Sequence, residues 1–142
     1  MITLHRTVTA DADPGKAFAY LADFANASEW DSGTVSCERV SGDGGVGTVY
    51  RNVSRFGGRD IELMYTVEKV DEPTFVILGK NKNTEGRDTI VVTPRGEGCH
   101  VDYTAEFEFS GLAKYLGPIV RPLLERLGDN TAKQLTDRLN RL

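Results

Sequence analysis

Turn signals punctuate the middle of this chain, and they constrain its fold more than any other feature. They are Gly42-Asp43-Gly44-Gly45, Gly57-Gly58, Asp71-Glu72-Pro73, Asn81-Lys82-Asn83 and Pro94-Arg95-Gly96-Glu97-Gly98. Glycine, proline and asparagine clusters of this kind mark the turns between strands. We predict strands near 34–41, 46–56, 59–70, 74–80, 86–94 and 98–109. Because the connections are short, consecutive strands should pair antiparallel as a meander.

Two of these strands alternate between apolar and polar residues, as a strand with one covered face does. The apolar sets are Ile61, Leu63, Tyr65 and Val67 in one strand, and Val101, Tyr103, Ala105, Phe107 and Phe109 in the other. A sheet with one apolar face has to bury that face against another layer.

The C-terminal region supplies the second layer. Apolar residues recur there in steps of three and four, which predicts an amphipathic helix: Leu112, Leu116, Ile119, Val120, Leu123, Leu124, Leu127, Leu135, Leu139 and Leu142. A continuous helix from Pro118 would span about 37 Å at 1.5 Å per residue. We predict that Tyr115, Ile119, Leu123 and Leu127 face the sheet.

The N-terminal region adds a strand and two short helices. Residues 2–10 alternate loosely and contain β-branched threonines, which predicts a strand. Asp13 can cap a helix that begins at Pro14 and ends near Asp23, and a second turn runs from about Ala25 to Trp30. We interpret Asp31 as closing that turn rather than acting as a base. The whole chain, 1–142, is predicted to be a single α+β domain.

Composition excludes several classes of function. The net charge is −4 and the basic residues are scattered, which argues against a nucleic-acid partner and an anionic membrane surface. No apolar run approaches the roughly 20 residues that span a bilayer, so we expect no stable membrane insertion. We expect no signal peptide, a cytoplasmic location, and reduced thiols at Cys37 and Cys99. No metal-ligand spacing or cofactor motif is visible, so we expect neither a metal nor a cofactor.

The strand 46–56 allows two registers. In the first, Tyr50, Asn52 and Ser54 face inward, and the buried polar groups need partners such as a ligand or trapped water. In the second, Arg51 and Arg55 face inward and would require an anionic ligand. We favour the first register, because two unpaired buried arginines are costly.

Several segments together resemble the START-related SRPBCC superfamily, and most of all its polyketide cyclase/dehydrase and lipid-transport branch. They are Thr7-Val8-Thr9-Ala10 with Pro14, Ala17-Phe18-Ala19-Tyr20-Leu21-Ala22-Asp23-Phe24, Glu29-Trp30-Asp31, Gly45-Val46-Gly47 with Tyr50, and Tyr65-Thr66-Val67 with Glu72-Pro73. The resemblance covers nearly the whole chain. It implies a START-like helix-grip fold, in which a curved antiparallel sheet of about seven strands surrounds a long C-terminal helix, with two short helices after strand 1. It also implies a cavity between sheet and helix.

Ten residues are candidates for binding a ligand in that cavity, although each would also fit ordinary core packing. They are Trp30, Tyr50, Asn52, Ser54, Tyr65, Tyr103, Phe107, Tyr115, Ile119 and Leu123. Tyrosine rings would supply apolar wall, and their hydroxyls could anchor a polar group of the ligand.

The favoured function is the binding or carrying of a small hydrophobic ligand, such as a lipid, an isoprenoid or a polyketide-like molecule. The alternative is a polyketide cyclase/aromatase-like or dehydratase-like enzyme acting in the same cavity. That enzyme would need an internal acid or base, and only tyrosines can be placed inward: no carboxylate or histidine clearly points in. Catalytic residues therefore stay unknown. A protein-interaction module is the third possibility, and a homodimer stays open.

Overall fold

Seven antiparallel strands form one sheet in the computed structural model, which describes residues 1–142 except for the side chains of residues 112–114. The strands are β1 (Ile2–Ala10), β2 (Thr34–Ser41), β3 (Val49–Phe56), β4 (Arg59–Asp71), β5 (Thr74–Lys80), β6 (Thr84–Arg95) and β7 (Gly98–Phe109). Their order is β1-β7-β6-β5-β4-β3-β2, so β2 to β7 form the predicted meander and β1 pairs with its last strand. The predicted sheet is confirmed.

Three helices accompany the sheet: α1 (Pro14–Ala22), α2 (Ala27–Trp30) and α3 (Gly117–Leu139), with 3-10 turns at Phe24–Asn26 and Gly111–Leu116. The helix α1 begins where predicted, because the Asp13 carboxylate accepts a hydrogen bond of 3.1 Å from the Lys16 amide. The predicted order of two short helices and one long terminal helix, and with it the helix-grip fold, is confirmed. The predicted place of Leu112 on the apolar helix face lies outside the described side chains.

The helix α3 lies on the sheet through Leu124, Gly128, Thr131, Leu135 and Leu139, all of which are buried. These residues follow steps of three and four, as expected for one stripe of a helix. Leu127 lies beside the stripe and is half-buried.

The predicted sheet-facing positions before this stripe are wrong. Tyr115 is 70% exposed, Ile119 is 66% exposed and Leu123 is 39% exposed. At about 100° per residue, Ile119 points about 140° away from Leu124, and Leu123 points about 100° away. The apolar residues at the start of α3 surround the helix, so their spacing did not identify the buried side.

Arg6 connects the first strand to α3. It occupies an inward position of β1 between buried Leu4 and Val8. Its guanidinium donates to Asp129 at 3.0 Å and to Glu125 at 2.9 Å. A Cβ atom at Gly128 would lie 3.2 Å from the guanidinium carbon. The glycine therefore leaves the space in which the Arg6 side chain lies against the helix.

Two glycines face each other in the middle of the sheet. Gly79 of β5 pairs with Gly86 of β6, and their outer neighbours in the same row are Tyr65 and Phe107. A Cβ atom at Gly79 would lie 2.6 Å from the Tyr65 ring, and one at Gly86 would lie 3.4 Å from the Phe107 ring. The two rings thus lie over a part of the sheet that carries no side chains.

Candidate ligand-binding cavity

A cavity of about 100 Å³ lies between the inner face of the sheet and α3, and it is partly open to solvent. Its wall is mostly apolar and includes Phe56, Leu63, Phe107, Phe109, Leu124 and Leu127. The polar lining comes from Asp31, Ser54, Thr84, Asp88 and Thr131 and from two tyrosines, Tyr65 and Tyr103. An apolar wall with a few convergent polar groups is the usual composition of a small-molecule site.

Two of the neighbours of Asp88 on the inner face are small and leave space beside it. Gly86 precedes it on the same face of β6, and Ala105 of β7 is its cross-strand partner. On the other side Asp88 pairs with Ile77 of β5, which is fully buried. Asp88 therefore lines the cavity at a point of the sheet where Gly86 and Ala105 leave room beside it.

The environment of Asp88 favours its neutral form. The residue is 4% exposed. Burial raises the pKa of its carboxyl group to about 8, and the nearby charge of Asp31 adds to the rise, whereas the neighbouring Tyr103 hydroxyl opposes it. At neutral pH Asp88 is therefore mostly protonated and can donate a hydrogen bond as well as accept one.

Asp31 is the second carboxyl group of the cavity, and it also closes the turn after α2, as interpreted from the sequence. It accepts hydrogen bonds from the Gly33 amide at 3.1 Å, the Thr34 hydroxyl at 3.0 Å and the Thr131 hydroxyl at 3.2 Å. Burial raises the pKa of Asp31, and these three hydrogen bonds oppose the rise. Through Thr131, Asp31 also fixes α3 against the turn.

Tyr65 and Tyr103 flank Asp88 as neutral hydroxyl groups. Burial raises the pKa of both phenols well above the usual value, and the charges of Asp88 and Asp31 raise them further. The Tyr103 ring contacts the edge of Trp30 at a centroid distance of 5.8 Å. The hydroxyl groups are thus donors, not bases, at neutral pH.

Four of the ten predicted residues line this cavity: Ser54, Tyr65, Tyr103 and Phe107. Three others, Trp30, Tyr50 and Asn52, are buried but lie outside its lining. The remaining three are the exposed residues Tyr115, Ile119 and Leu123, which do not line it.

The three buried residues outside the lining are occupied by contacts within the protein. Tyr50 contacts Phe24 edge to face at a centroid distance of 5.9 Å. Asn52 donates to Thr34 at 3.4 Å and accepts a hydrogen bond of 2.6 Å from Ser54, so its amide is bound within the protein. The indole nitrogen of Trp30 is buried and has no hydrogen-bond partner among the described residues.

The favoured register of β3 agrees with the structure. Tyr50 and Asn52 face inward, whereas Arg51 pairs with Glu38 at 2.7 Å and Arg55 pairs with Asp60 at 2.9 Å on the exposed side. Each arginine thus has a carboxylate partner outside the core.

The sequence interpretation was wrong to place no carboxylate inward, because Asp88 faces the cavity. The strand β6 alternates less cleanly than β4 and β7, because Val91 interrupts the pattern while Ile90 and Val92 lie on the inner face with Asp88. An aspartate in a strand normally belongs to the wet face. Asp88 lies two residues before Ile90 and four before Val92, so it shares their face of the strand. This spacing was the one signal that could have identified Asp88 as an inward residue.

Other reactive side chains lie away from the cavity. His5 and His100 both approach Asp102, at 3.2 Å and 3.5 Å. Cys37 and Cys99 are free thiols, and burial raises the pKa of Cys37 to about 11, which makes it a poor nucleophile. In the part of the chain that the structure describes, no cluster of three or more His, Cys, Asp or Glu could hold a metal ion. No described helix is long and apolar enough to cross a membrane.

Comparison with known proteins gives one family and many structures. The family described as polyketide cyclase / dehydrase and lipid transport matches residues 1–140. No protein with curated information matches significantly by sequence.

Three similar solved structures illustrate the shared fold, and each superposes with a TM-score of 0.82. A protein from Thermus thermophilus is 20% identical, with 97% of each chain covered. A START superfamily protein from Mycobacterium smegmatis is 15% identical, with 98% of this chain and 97% of that chain covered. The Zhui aromatase/cyclase from a Streptomyces species is 13% identical, with 99% of this chain and 94% of that chain covered. At these identities the likeness extends to the fold only.

Proposed function

We propose that this chain, which belongs to the polyketide cyclase/dehydrase and lipid transport family, binds a small apolar molecule and holds its polar end at Asp88 and Tyr103. The observation that carries the proposal is a mostly apolar cavity whose lining includes a buried acid, Asp88. Removing the apolar surface of a ligand from water provides the affinity. The two polar groups provide orientation, because a buried donor or acceptor without a partner is costly.

The size of the cavity limits what it can enclose. Its volume is about 100 Å³, whereas an engineered protein cavity of about 150 Å³ holds benzene. The enclosed part of the ligand is therefore about one ring or a short chain segment. A lipid, an isoprenoid or a polyketide-like molecule would have to extend through the opening toward solvent.

Ligand binding can be tested with a variant that fills the cavity. Ala105 is fully buried and lines the cavity beside Asp88, so Ala105→Leu places extra methyl groups in the binding space. The matched control is Ala19→Leu, because Ala19 is exposed on α1. We expect benzyl alcohol to shift the amide NMR signals of cavity residues in the wild type and in Ala19→Leu, and not in Ala105→Leu. Equal binding by all three proteins, or binding by none, would contradict the proposal.

Acid catalysis in the same cavity is the second candidate function, and the inward position of Asp88 favours it. A neutral carboxylic acid beside a neutral tyrosine could donate a hydrogen bond to a substrate carbonyl while an intramolecular aldol condensation forms a carbon–carbon bond and releases water. A short β-polyketone thioester is the test substrate, and the absorbance of an aromatic product is the readout. Asp88→Asn should then lose turnover while still binding benzyl alcohol. Absence of turnover by the wild type would exclude this candidate and leave the binding function intact.

A further inference from the structure

We propose that the natural ligand of this cavity is an apolar amine, whose protonated nitrogen binds at Asp88 and is also attracted by Asp31, the second acid of the lining. This inference rests on the proposed binding function and names the chemical class of its ligand. Its basis is the arrangement of charges around the cavity, where two acids face the interior without a basic partner.

The charged groups of the cavity lining are both acidic. Among the described residues that line it, Asp31 and Asp88 are carboxyl groups, and none is lysine, arginine or histidine. A basic group does lie against Gly128 at the cavity wall, the guanidinium of Arg6. That guanidinium is already bound to Glu125 and Asp129, two acids for one base. The lining therefore supplies no positive charge to balance the two carboxyl groups.

Asp88 has hydrogen-bonding capacity left over. Asp31 accepts three hydrogen bonds from the turn and from Thr131, whereas Asp88 has the Tyr103 hydroxyl as its one neighbouring hydroxyl group that affects its pKa. A carboxylate has about four acceptor sites, and an ammonium group has three donors. A protonated amine at this position would bond to Asp88 and would also offset the charge of Asp31.

The aromatic wall suits the rest of such a ligand. Tyr65, Tyr103 and Phe107 line the cavity near Asp88, and aromatic faces attract a cation most strongly where water is excluded. A ligand carboxylate would meet the opposite situation, because it would lie next to two acids. A neutral alcohol would gain only an ordinary hydrogen bond at this end.

Binding of an amine should also release a proton. Burial and Asp31 keep Asp88 neutral in the free protein, so the carboxyl group has to ionise before it can pair with a cation. The other polar side chains of the cavity lining are neutral hydroxyls, those of Tyr65, Tyr103, Ser54, Thr84 and Thr131. The affinity for an amine should therefore rise with pH up to about the pKa of Asp88, whereas the affinity for an alcohol should not.

The test uses three compounds with one skeleton: benzylamine, benzyl alcohol and benzoate. Dissociation constants are measured for the full chain by amide NMR titration at about pH 6 and about pH 8. At the higher pH we expect benzylamine to bind about tenfold more tightly than benzyl alcohol, because hydrogen bonds to charged groups are the stronger ones. We expect benzoate to bind most weakly, and only the affinity for benzylamine to rise between the two pH values.

A pair of variants assigns the effect to Asp88. In Asp88→Asn the preference for benzylamine and its rise with pH should disappear, so that benzylamine binds no more tightly than benzyl alcohol. The matched control, Asp137→Asn, removes an exposed carboxylate on α3 and should keep the preference. If benzyl alcohol or benzoate binds the wild type as tightly as benzylamine, the amine proposal is overturned and the binding function stands. If none of the three binds, the binding function itself fails.

Discussion

Replacing Asp88 by asparagine should change how the stability of this protein depends on pH. The folded protein holds the Asp88 carboxyl group with a pKa of about 8, against an ordinary value of 3.8. Because the folded pKa is raised, the contribution of this group to stability is complete below about pH 4 and is lost as the pH rises toward about 8. Asparagine has a similar shape and does not titrate, so the variant should lack this loss.

The size of the effect follows from proton counting. Between the two pKa values the folded state binds about one proton more than the unfolded state. The free energy of unfolding therefore falls by about 1.4 kcal/mol for each pH unit. From about pH 5 to about pH 7 the wild type should lose about 3 kcal/mol relative to the variant. At roughly 2.1 cal/mol/K of unfolding entropy per residue, that loss corresponds to about 10 °C in melting temperature for this chain.

Urea unfolding at the two pH values provides the assay, with the fluorescence of Trp30 as the signal, because this single tryptophan is fully buried. Any constant cost of the substitution, such as a weaker bond to Tyr103, cancels when the two pH values are compared. Asp137→Asn, at an exposed position, shows what the loss of a surface carboxylate does in the same comparison. If the wild type and Asp88→Asn lose stability in parallel, Asp88 is ionised in the folded protein, and the reasoning about its burial is refuted.

Four further substitutions test the packing around the cavity, each by urea unfolding. Gly79→Ala should lower the free energy of unfolding by about 1–3 kcal/mol, since the new methyl group would lie 2.6 Å from the Tyr65 ring. An unchanged free energy of unfolding would show that the ring moves freely. Leu135→Ala should lower the free energy of unfolding by about 2–5 kcal/mol, whereas Leu123→Ala, at a more exposed position, should lower it by less than about 1 kcal/mol. Equal losses would contradict the assignment of the buried face of α3. Arg6→Gln should lower the free energy of unfolding by about 1 kcal/mol in dilute buffer and by less in concentrated salt. A loss that does not depend on salt would show that the ion pairs of Arg6 contribute nothing to stability.

The order of elements was predictable because its signals are local. Turn residues mark the ends of the strands, and the capping residue Asp13 marks the start of α1. The inward positions of Tyr65 and Tyr103 followed from a clean two-residue alternation in β4 and β7. These features depend on near neighbours in the sequence, which is why a single chain suffices to predict them.

The centre of the candidate site was not predictable in the same way. Asp88 is buried against the preference of its own side chain, and the neighbours that permit this come from distant parts of the chain, including Ala105, Tyr103 and Asp31. Likewise, the first turns of α3 carry apolar residues on several sides, and only contact with the sheet decides that Leu124 is covered and Ile119 is not. Both questions depend on which distant segments meet.

The contact between Arg6 and α3 has a consequence for how this protein is made. It joins residues that are 119 and 123 positions apart, and the bond between Asp31 and Thr131 spans 100 positions. During synthesis all seven strands leave the ribosome before α3. The aromatic face around Tyr65 and Phe107 therefore stays exposed to solvent until the helix has been synthesised. Exposed apolar surface of this kind promotes aggregation and attracts chaperones. An mRNA truncated before the codons of α3 would therefore yield a chain whose sheet is uncovered. We expect such a chain to be bound by chaperones or degraded by proteases, and not to bind the ligand.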